Sequence, residues 1–416
     1  MSDIRESDSN NKGSHYHRYL HYAAALIKGY KGNEPFHSYL KKYFSANKKH
    51  GSRDRKLITA LCYGYFRLGQ SVPKEMPVEE KLLLGYFFSS DQSTPLLASL
   101  KPDWNERVAD PILAKIDLVK EEMEEKELFP FKEELSNEIN FEIFNASFLE
   151  QPKLFIRIRP GKHQQVIEKL KAAKIPFEKE SEDSLTFANT QKLTEVLKID
   201  EEAVIQDYNS QRVTELILAQ PKITGTDRSS QGGKISIWDC CAASGGKSIS
   251  MMDYLTNVDL TVSDNRKEIL QNLKSRFSKA GIRNYTPFVA DLASNTSGLF
   301  TDKHFDLVLV DAPCTGSGTW GRTPEQMHYS SIKSIEKYAS LQRSIVANTI
   351  PYLKENGFLL YVTCSVFKKE NEENVQFIQD KLGLELLENR YLKGYDMGAD
   401  TLYAAMFRKT SDSDKK

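Results

Sequence analysis

The sequence has little cysteine, with five residues in 416 and no CxxC pair. An odd number of cysteines without paired spacing argues against a disulfide scaffold and a zinc ribbon. No apolar run approaches membrane-spanning length, and acidic Asp3, Glu6 and Asp8 stand where a signal peptide would be basic. We therefore expect a cytoplasmic protein that does not associate with membranes.

A net charge is also lacking, because 57 lysines and arginines balance 57 aspartates and glutamates. The balance hides a gradient, since residues 11–70 carry twelve basic and two acidic side chains, or +10. Residues 101–150 carry six basic and fourteen acidic side chains, or −8. Five histidines lie between residues 15 and 50 without nearby acidic or thiol ligands, so no metal site is predicted.

Apolar spacing changes along the chain and predicts three domains between polar, flexible ends at 1–14 and 410–416. Residues 15–135 carry helical stripes such as Phe36, Tyr39, Leu40, Tyr43 and Phe44, which predict an all-helical domain with a basic face. Residues 136–205 contain a strand, helix and strand pattern and are interpreted as a small α+β domain.

Residues 206–409 alternate between strand and helix patterns, which is typical of an open, mostly parallel α/β sheet. A polar loop is predicted at 224–234, ahead of the first strand. The predicted strands are 235–238, 260–263, 285–289, 307–310, 358–362 and 402–407.

Small residues follow the first of these strands and predict a ligand-binding loop before a helix. Such a turn lets a ligand approach the backbone and the helix N-terminus. A phosphate-binding P-loop is rejected, because it needs glycine where Cys241 stands. Acidic residues after successive strands suit either a nicotinamide dinucleotide or S-adenosylmethionine. The candidate cofactor-binding residues are Cys241, Ala242, Ala243, Ser244, Gly245, Gly246, Lys247, Asp264, Asp291 and Asp311.

Two cysteines follow neighbouring strands, Cys314 after the fourth and Cys364 after the fifth. A thiolate that adds to carbon 6 of a pyrimidine makes carbon 5 nucleophilic toward a methylsulfonium. A carboxylate near ring nitrogen 3 would assist by sharing a proton, and Asp311 is the natural candidate. The predicted catalytic residues are therefore Cys364, Cys314 and Asp311.

These residues resemble the RNA cytosine-5 methyltransferases of the Sun family, through the segments 238–247, 311–318, 363–372 and 398–400. The resemblance implies a Rossmann-like methyltransferase domain that uses S-adenosyl-L-methionine. It assigns the attacking thiol to Cys364 and assisted product release to Cys314. Ser244 departs from the family, which usually has proline there, so weaker cofactor binding is expected.

The first domain resembles the NusB-like RNA-binding domain of the bacterial small-subunit ribosomal RNA methyltransferase B group, through Ser52–Arg55 and Leu61–Arg67. The small α+β domain corresponds to that group's RNA-recognition-like module, although no aromatic base-stacking pattern is visible. The resemblance implies methylation of cytosine carbon 5 in 16S ribosomal RNA, bound through residues 11–70 by a monomer. Transfer RNA as the substrate and a non-catalytic RNA-binding or ribosome-assembly role remain alternatives. A DNA cytosine-5 methyltransferase would carry its nucleophile in a segment like Pro313-Cys314, and the second cysteine, Cys364, argues against that class.

Overall fold

The computed structural model describes residues 3–123, 127–224, 233–294 and 296–410. The predicted 224–234 loop and the polar tail therefore lie mostly outside the described residues. The helices are α1 (Asp3–Gly29), α2 (Phe36–Ala46), α3 (Ser52–Arg67), α4 (Val78–Phe88), α5 (Pro95–Leu100), α6 (Pro102–Glu106), α7 (Ile112–Leu118), α8 (Phe141–Ser147), α9 (His163–Ala172), α10 (Tyr208–Leu218), α11 (Pro221–Thr224), α12 (Gly246–Tyr254), α13 (Lys267–Lys279), α14 (Gln326–Tyr329), α15 (Ile332–Thr349) and α16 (Glu372–Leu382). The strands are β1 (Leu154–Ile158), β2 (Glu178–Lys179), β3 (Ser184–Phe187), β4 (Ala203–Ile205), β5 (Ile235–Asp239), β6 (Val258–Asp264), β7 (Tyr285–Val289), β8 (Phe305–Asp311), β9 (Leu353–Thr363), β10 (Leu384–Leu392) and β11 (Leu402–Lys409).

One structural unit is helical and comprises the chain up to Glu133, together with Asn140–Gln151 and Trp320–Ser330. Its core is formed by the predicted apolar stripes of α2 and α3 with apolar residues of α1, α4 and α5. Helix α3 begins after Gly51, whose N–H donates to the Asp54 carboxylate at 2.8 Å and so fixes the first turn. The predicted helical N-terminal region is confirmed, and α1 begins at Asp3, inside the segment predicted to be flexible.

The segment Trp320–Ser330 belongs to this helical unit although it lies far along the chain. Trp320 is buried against the rings of Phe129 and Phe131. The buried Glu325 carboxylate accepts a hydrogen bond of 3.4 Å from the Phe36 N–H, at the first turn of α2. A carboxylate is favourable at a helix N-terminus, because the first backbone N–H groups have no partner within the helix.

The other unit comprises Glu134–Ile139, Pro152–Thr319 and the chain from Ser331 onward. It contains the predicted small α+β element, a four-stranded antiparallel sheet in the order β2-β3-β1-β4. One face of this sheet packs on α9 through a core of apolar side chains that includes Phe187. On the other face, Arg157 is buried and pairs with Asp253 of α12 at 2.7 Å. The central strands β1 and β3 therefore present no open aromatic face for base stacking.

The same unit contains a seven-stranded sheet in the order β10-β11-β9-β8-β5-β6-β7. Strands β9, β8, β5, β6 and β7 are parallel, and β11 is antiparallel to both of its neighbours. The predicted α/β fold with a mostly parallel sheet is confirmed, and all six predicted strands are present, with each end within five residues of its predicted position. Strand β10 was not predicted, because its Leu384–Leu392 sequence contains the consecutive polar residues Glu388, Asn389 and Arg390, which break the apolar/polar alternation typical of a strand.

The carboxyl ends of parallel strands meet at one edge of a sheet, and in open α/β folds this edge binds ligands. In this chain β5, β6, β8 and β9 direct their following loops to that edge. Among the described residues, no helix has the length and apolar character needed to cross a membrane.

Helices α3 and α4 cross with backbone contact, at two glycines. A Cβ on Gly64 would lie 2.6 Å from the Gly85 carbonyl carbon, and a Cβ on Gly85 would lie 2.1 Å from the Gly64 oxygen. We expect Gly85→Leu to lower the free energy of unfolding by about 3 kcal/mol or more, because the backbones of α3 and α4 would have to move apart to make room for the new side chain. Lys56→Leu, on the exposed surface of α3, should change it by less than about 0.5 kcal/mol.

Urea denaturation followed by circular dichroism measures both variants. Equal midpoints for Gly85→Leu and Lys56→Leu would contradict the close crossing.

Candidate active site

The loop between β5 and α12 holds the predicted cofactor segment in a constrained backbone conformation. Ala243 has φ 45° and Gly245 has φ 83°, both in the left-handed region. A Cβ at Gly245 would lie 2.6 Å from Cε1 of Phe277 on α13, so glycine is required by conformation and by space. This loop, called the cofactor loop below, therefore packs closely against α13 and leads directly into the N-terminus of α12.

Asp264, at the end of β6, lies beside this loop. One carboxylate oxygen accepts from the Ala243 N–H at 3.0 Å, and the other accepts from the Arg266 N–H at 2.9 Å. Burial alone would raise the pKa of Asp264, but these bonds and the Arg266 guanidinium hold it below its ordinary value. Asp264 is thus an ionised acceptor at neutral pH.

Asp291, after β7, is exposed and caps its own turn. Its two carboxylate oxygens accept from the Ala293 N–H at 3.0 Å and the Ser294 hydroxyl at 2.9 Å. The neighbouring Ala290 N–H donates to the Asp264 backbone carbonyl at 3.2 Å, which places Asp291 next to Asp264 along the sheet edge.

Asp311, at the end of β8, forms an ion pair of 2.7 Å with Lys247 in the first turn of α12. Burial alone would lower the pKa of Lys247, but Asp311 raises it above its ordinary value. Lys247 therefore remains a cation and fixes one oxygen of Asp311 in the site.

Asp239 ends β5 beneath the loop and is fully buried. It accepts a hydrogen bond of 2.6 Å from the Ser248 hydroxyl, while its Oδ1 has no partner among the described residues. Burial raises the pKa of Asp239 to about 7, and the charge of Asp311 adds to that rise. Asp239 is therefore a buried group that supports the start of α12.

The two predicted catalytic cysteines are in contact. Sγ of Cys314 lies 3.2 Å from Sγ of Cys364, and both are free thiols. Hydrogen bonding to Cys364 and burial raise the pKa of the Cys314 thiol well above its ordinary value. Cys314 therefore stays protonated at neutral pH and can donate to a thiolate at Cys364.

A buried carboxylate, Glu370, joins the two cysteine loops. It accepts from the N–H of Thr315 at 3.0 Å and from the Ser365 hydroxyl at 2.7 Å, which are the residues that follow the two cysteines. Gln342 of α15 also donates to it, at 2.8 Å. Burial raises the pKa of Glu370, and these donors oppose the rise. The spacing between the thiols thus depends on a side chain that touches neither.

The residues at this edge fit S-adenosyl-L-methionine. Its ribose hydroxyls need acceptors, and Asp264 and Asp291 are carboxylates at the ends of adjacent strands that could accept from them. Its amino-acid carboxylate needs donors, and the first N–H groups of α12 are unpaired within the helix. Cys314, Cys364 and Asp311 lie at the same edge of the sheet, because they end or follow the parallel strands β8 and β9.

Sequence reasoning missed several contacts of this site. Arg276 of α13 binds Ser244 in the cofactor loop, and Asp200 binds Arg276. Neither residue lies near a motif in the chain, so no local pattern could indicate its role. Glu370 lay inside a segment of the family resemblance, but only its burial beneath both loops reveals what it contacts.

Comparison with known proteins finds similarity over the second half of the chain. Residues 230–412 match the sequence model of the family described as 16S rRNA methyltransferase RsmB/F. Ribosomal RNA small subunit methyltransferase B from Shewanella oneidensis is 30% identical over 139 residues, which cover 33% of this chain and 32% of that protein. The match therefore spans about a third of that relative's length.

Two solved structures share the fold. The structure titled PH0851 has a TM-score of 0.65 at 18% identity and covers 93% of this chain and 97% of its own. NSun6 from Pyrococcus horikoshii, solved with SFG, has a TM-score of 0.54 at 16% identity and covers 63% of this chain and 92% of its own. The SFG in that structure is an analogue of S-adenosyl-L-methionine, the cofactor predicted for this chain. The predicted resemblance is confirmed over residues 230–412, which are similar to the RsmB/F family of 16S rRNA methyltransferases.

Proposed function

We propose that this protein methylates carbon 5 of a cytosine in small-subunit ribosomal RNA. The observation that carries the proposal is the pair of thiols 3.2 Å apart, beside the cofactor loop. Methylation of a base nitrogen or a ribose hydroxyl needs no covalent thiol adduct, whereas carbon 5 of cytosine is too weak a nucleophile without one.

Cys364 begins the reaction, as its sulfur bonds to carbon 6 of the ring and electron density moves to carbon 5. S-Adenosyl-L-methionine, when bound, supplies an electrophilic methyl group on its sulfonium. Asp311 would share a proton with ring nitrogen 3 through one carboxylate oxygen, while Lys247 holds the other oxygen. A base within structured RNA must leave its stack to reach this edge.

Cys314 acts in the release step. Once Cys364 is bonded to carbon 6, the contact between the two free thiols no longer exists. A Cys314 thiolate, formed by loss of the thiol proton to solvent, then takes up the carbon-5 proton. The electron pair of that carbon–hydrogen bond rebuilds the double bond, and Cys364 leaves as a thiolate.

RNA binding is assigned to the helical unit, through exposed basic side chains on α2, α3 and the turn between them. These are Lys41, Lys42, Lys48, Lys49, Arg53 and Lys56. Lysine and arginine neutralise phosphates and release counterions, so binding should weaken as salt rises. We favour small-subunit ribosomal RNA over transfer RNA as the substrate, because the family that residues 230–412 match is described as 16S rRNA methyltransferases.

Cysteine substitutions test the chemistry. We expect Cys364→Ala to abolish methyl transfer, because no adduct can form. Cys314→Ala should instead accumulate a covalent protein–RNA adduct, since release is blocked after methylation. Denaturing gel electrophoresis with labelled RNA and S-adenosyl-L-methionine detects the adduct as a slowly migrating band.

Cys62→Ala is the matched control, because this buried thiol lies in the helical unit and touches no site residue. It should leave methyl transfer unchanged and form no stable adduct. An adduct in Cys364→Ala and none in Cys314→Ala would reverse the two roles and contradict the assignment.

Salt dependence tests the RNA-binding surface. Replacing Lys48, Arg53 and Lys56 by glutamine should weaken RNA binding and reduce the slope of log K against log salt by about 2, given roughly 0.7 to 0.9 per lost phosphate contact. Filter binding over a salt series measures the slope.

The control replaces Lys171, Lys174 and Lys192 by glutamine, three exposed lysines of the small α+β element. Its slope should equal that of the unmodified protein. A larger reduction in the control than in the helical-unit variant would move the RNA-binding surface to the α+β element.

A further inference from the structure

Ser244 stands between two residues with unusual backbone angles. Ala243 and Gly245 both have positive φ, so the chain must hold an uncommon path on either side of Ser244. A proline at this position would fix φ and restrict the loop before any cofactor binds. Serine supplies no such restriction from its own covalent structure.

Arg276 of α13 restrains Ser244 from outside. Its Nη1 donates to the Ser244 hydroxyl at 2.9 Å and to the Ser244 carbonyl oxygen at 3.2 Å. One guanidinium nitrogen thus contacts both the backbone and the side chain of the same loop residue. A charged donor makes these bonds stronger than those between neutral groups.

Arg276 is itself held in place. Its Nε and Nη2 both donate to Oδ1 of Asp200, at 2.9 and 2.8 Å. Asp200 is buried and has φ 70°, and its backbone oxygen accepts from Arg159 at 3.1 Å. The same Arg159 nitrogen donates to the carbonyl of Ala280, directly after α13, at 2.7 Å. The small α+β element is therefore linked to the cofactor loop through side chains.

We propose that Arg276 is a positioning residue for the cofactor, because it holds Ser244 of the loop between β5 and α12 from α13. Asp200 and Arg159 keep the guanidinium oriented toward the loop. This inference rests on the proposed function, because the loop must bind S-adenosyl-L-methionine for its restraint to matter. It predicts an effect on cofactor affinity, and not on the chemical step.

The test compares Arg276→Met with the double variant Arg276→Met/Ser244→Pro. We expect Arg276→Met to raise the Kd for S-adenosyl-L-homocysteine and the KM for S-adenosyl-L-methionine about tenfold, with kcat changed less than about twofold at saturation. The added proline should return both constants to within about threefold of the unmodified protein, because it restores the restraint by another means.

Two further readouts separate positioning from a general loss of stability. Hydrogen exchange of the cofactor-free protein should be faster in residues 242–247 of Arg276→Met and slow again in the double variant. Arg408→Met is the matched control, since Arg408 pairs with Glu385 on the outer strands of the sheet and should change neither constant. If Arg276→Met lowers the melting temperature, the same two constants are measured on Ser244→Ala instead. This variant removes the contact between Arg276 and the Ser244 hydroxyl and leaves the Arg276–Asp200 ion pair intact.

Calorimetric binding distinguishes the possible failures. If the unmodified protein binds neither S-adenosyl-L-homocysteine nor S-adenosyl-L-methionine, the proposed function fails. If it binds them and Arg276→Met and Ser244→Ala bind equally well, the proposed function stands and the positioning role is overturned. A tenfold loss that Ser244→Pro does not recover would also overturn it.

Discussion

The parallel pairing of β8 with β9 is the constraint on which the site depends. Asp311 pairs with Val362, and the Ala312 N–H donates to the Val362 carbonyl at 2.9 Å. The two segments that follow β8 and β9 therefore leave the sheet side by side. Three residues beyond Asp311 comes Cys314, and two residues beyond Val362 comes Cys364. A shift of this register by one residue would turn every following side chain to the other face of the sheet and separate the thiols.

Register alone does not bring two loops within contact distance, and here a buried carboxylate completes the arrangement. Removing Glu370 from water costs several kcal/mol, which its hydrogen bonds from both loops and from Gln342 offset. A buried charge of this kind tolerates few arrangements of its donors. The same group that is costly to bury therefore specifies the geometry of the loops that carry Cys314 and Cys364.

The sequence predicted the parts of this structure that local patterns determine. The strand 285–289 was predicted at its observed bounds, and the stripes of α2 and α3 indicated helices because their periodicity reflects one buried face. The site residues could be predicted because each follows a strand, and parallel strands end at one edge. Their catalytic and cofactor-binding roles stay predictions.

Contacts between distant segments could not be predicted from the sequence. The packing of Trp320 and Glu325 in the helical unit joins segments about 190 to 290 residues apart in the chain. Arg276 and Asp200 look like ordinary surface charges until the fold places them beside Ser244. The absence of proline at Ser244 could be noticed from the resemblance, but the structure is needed to find the side chain that contacts the serine.

Bisulfite sequencing of RNA from cells that lack this protein tests the central claim most directly. We expect the loss of a 5-methylcytosine from small-subunit ribosomal RNA, with the 5-methylcytosines of transfer RNA unchanged. Re-expression of the unmodified protein should restore the mark, and re-expression of Cys364→Ala should not. Loss of a transfer RNA mark with ribosomal RNA intact, or no change in any 5-methylcytosine, would contradict it.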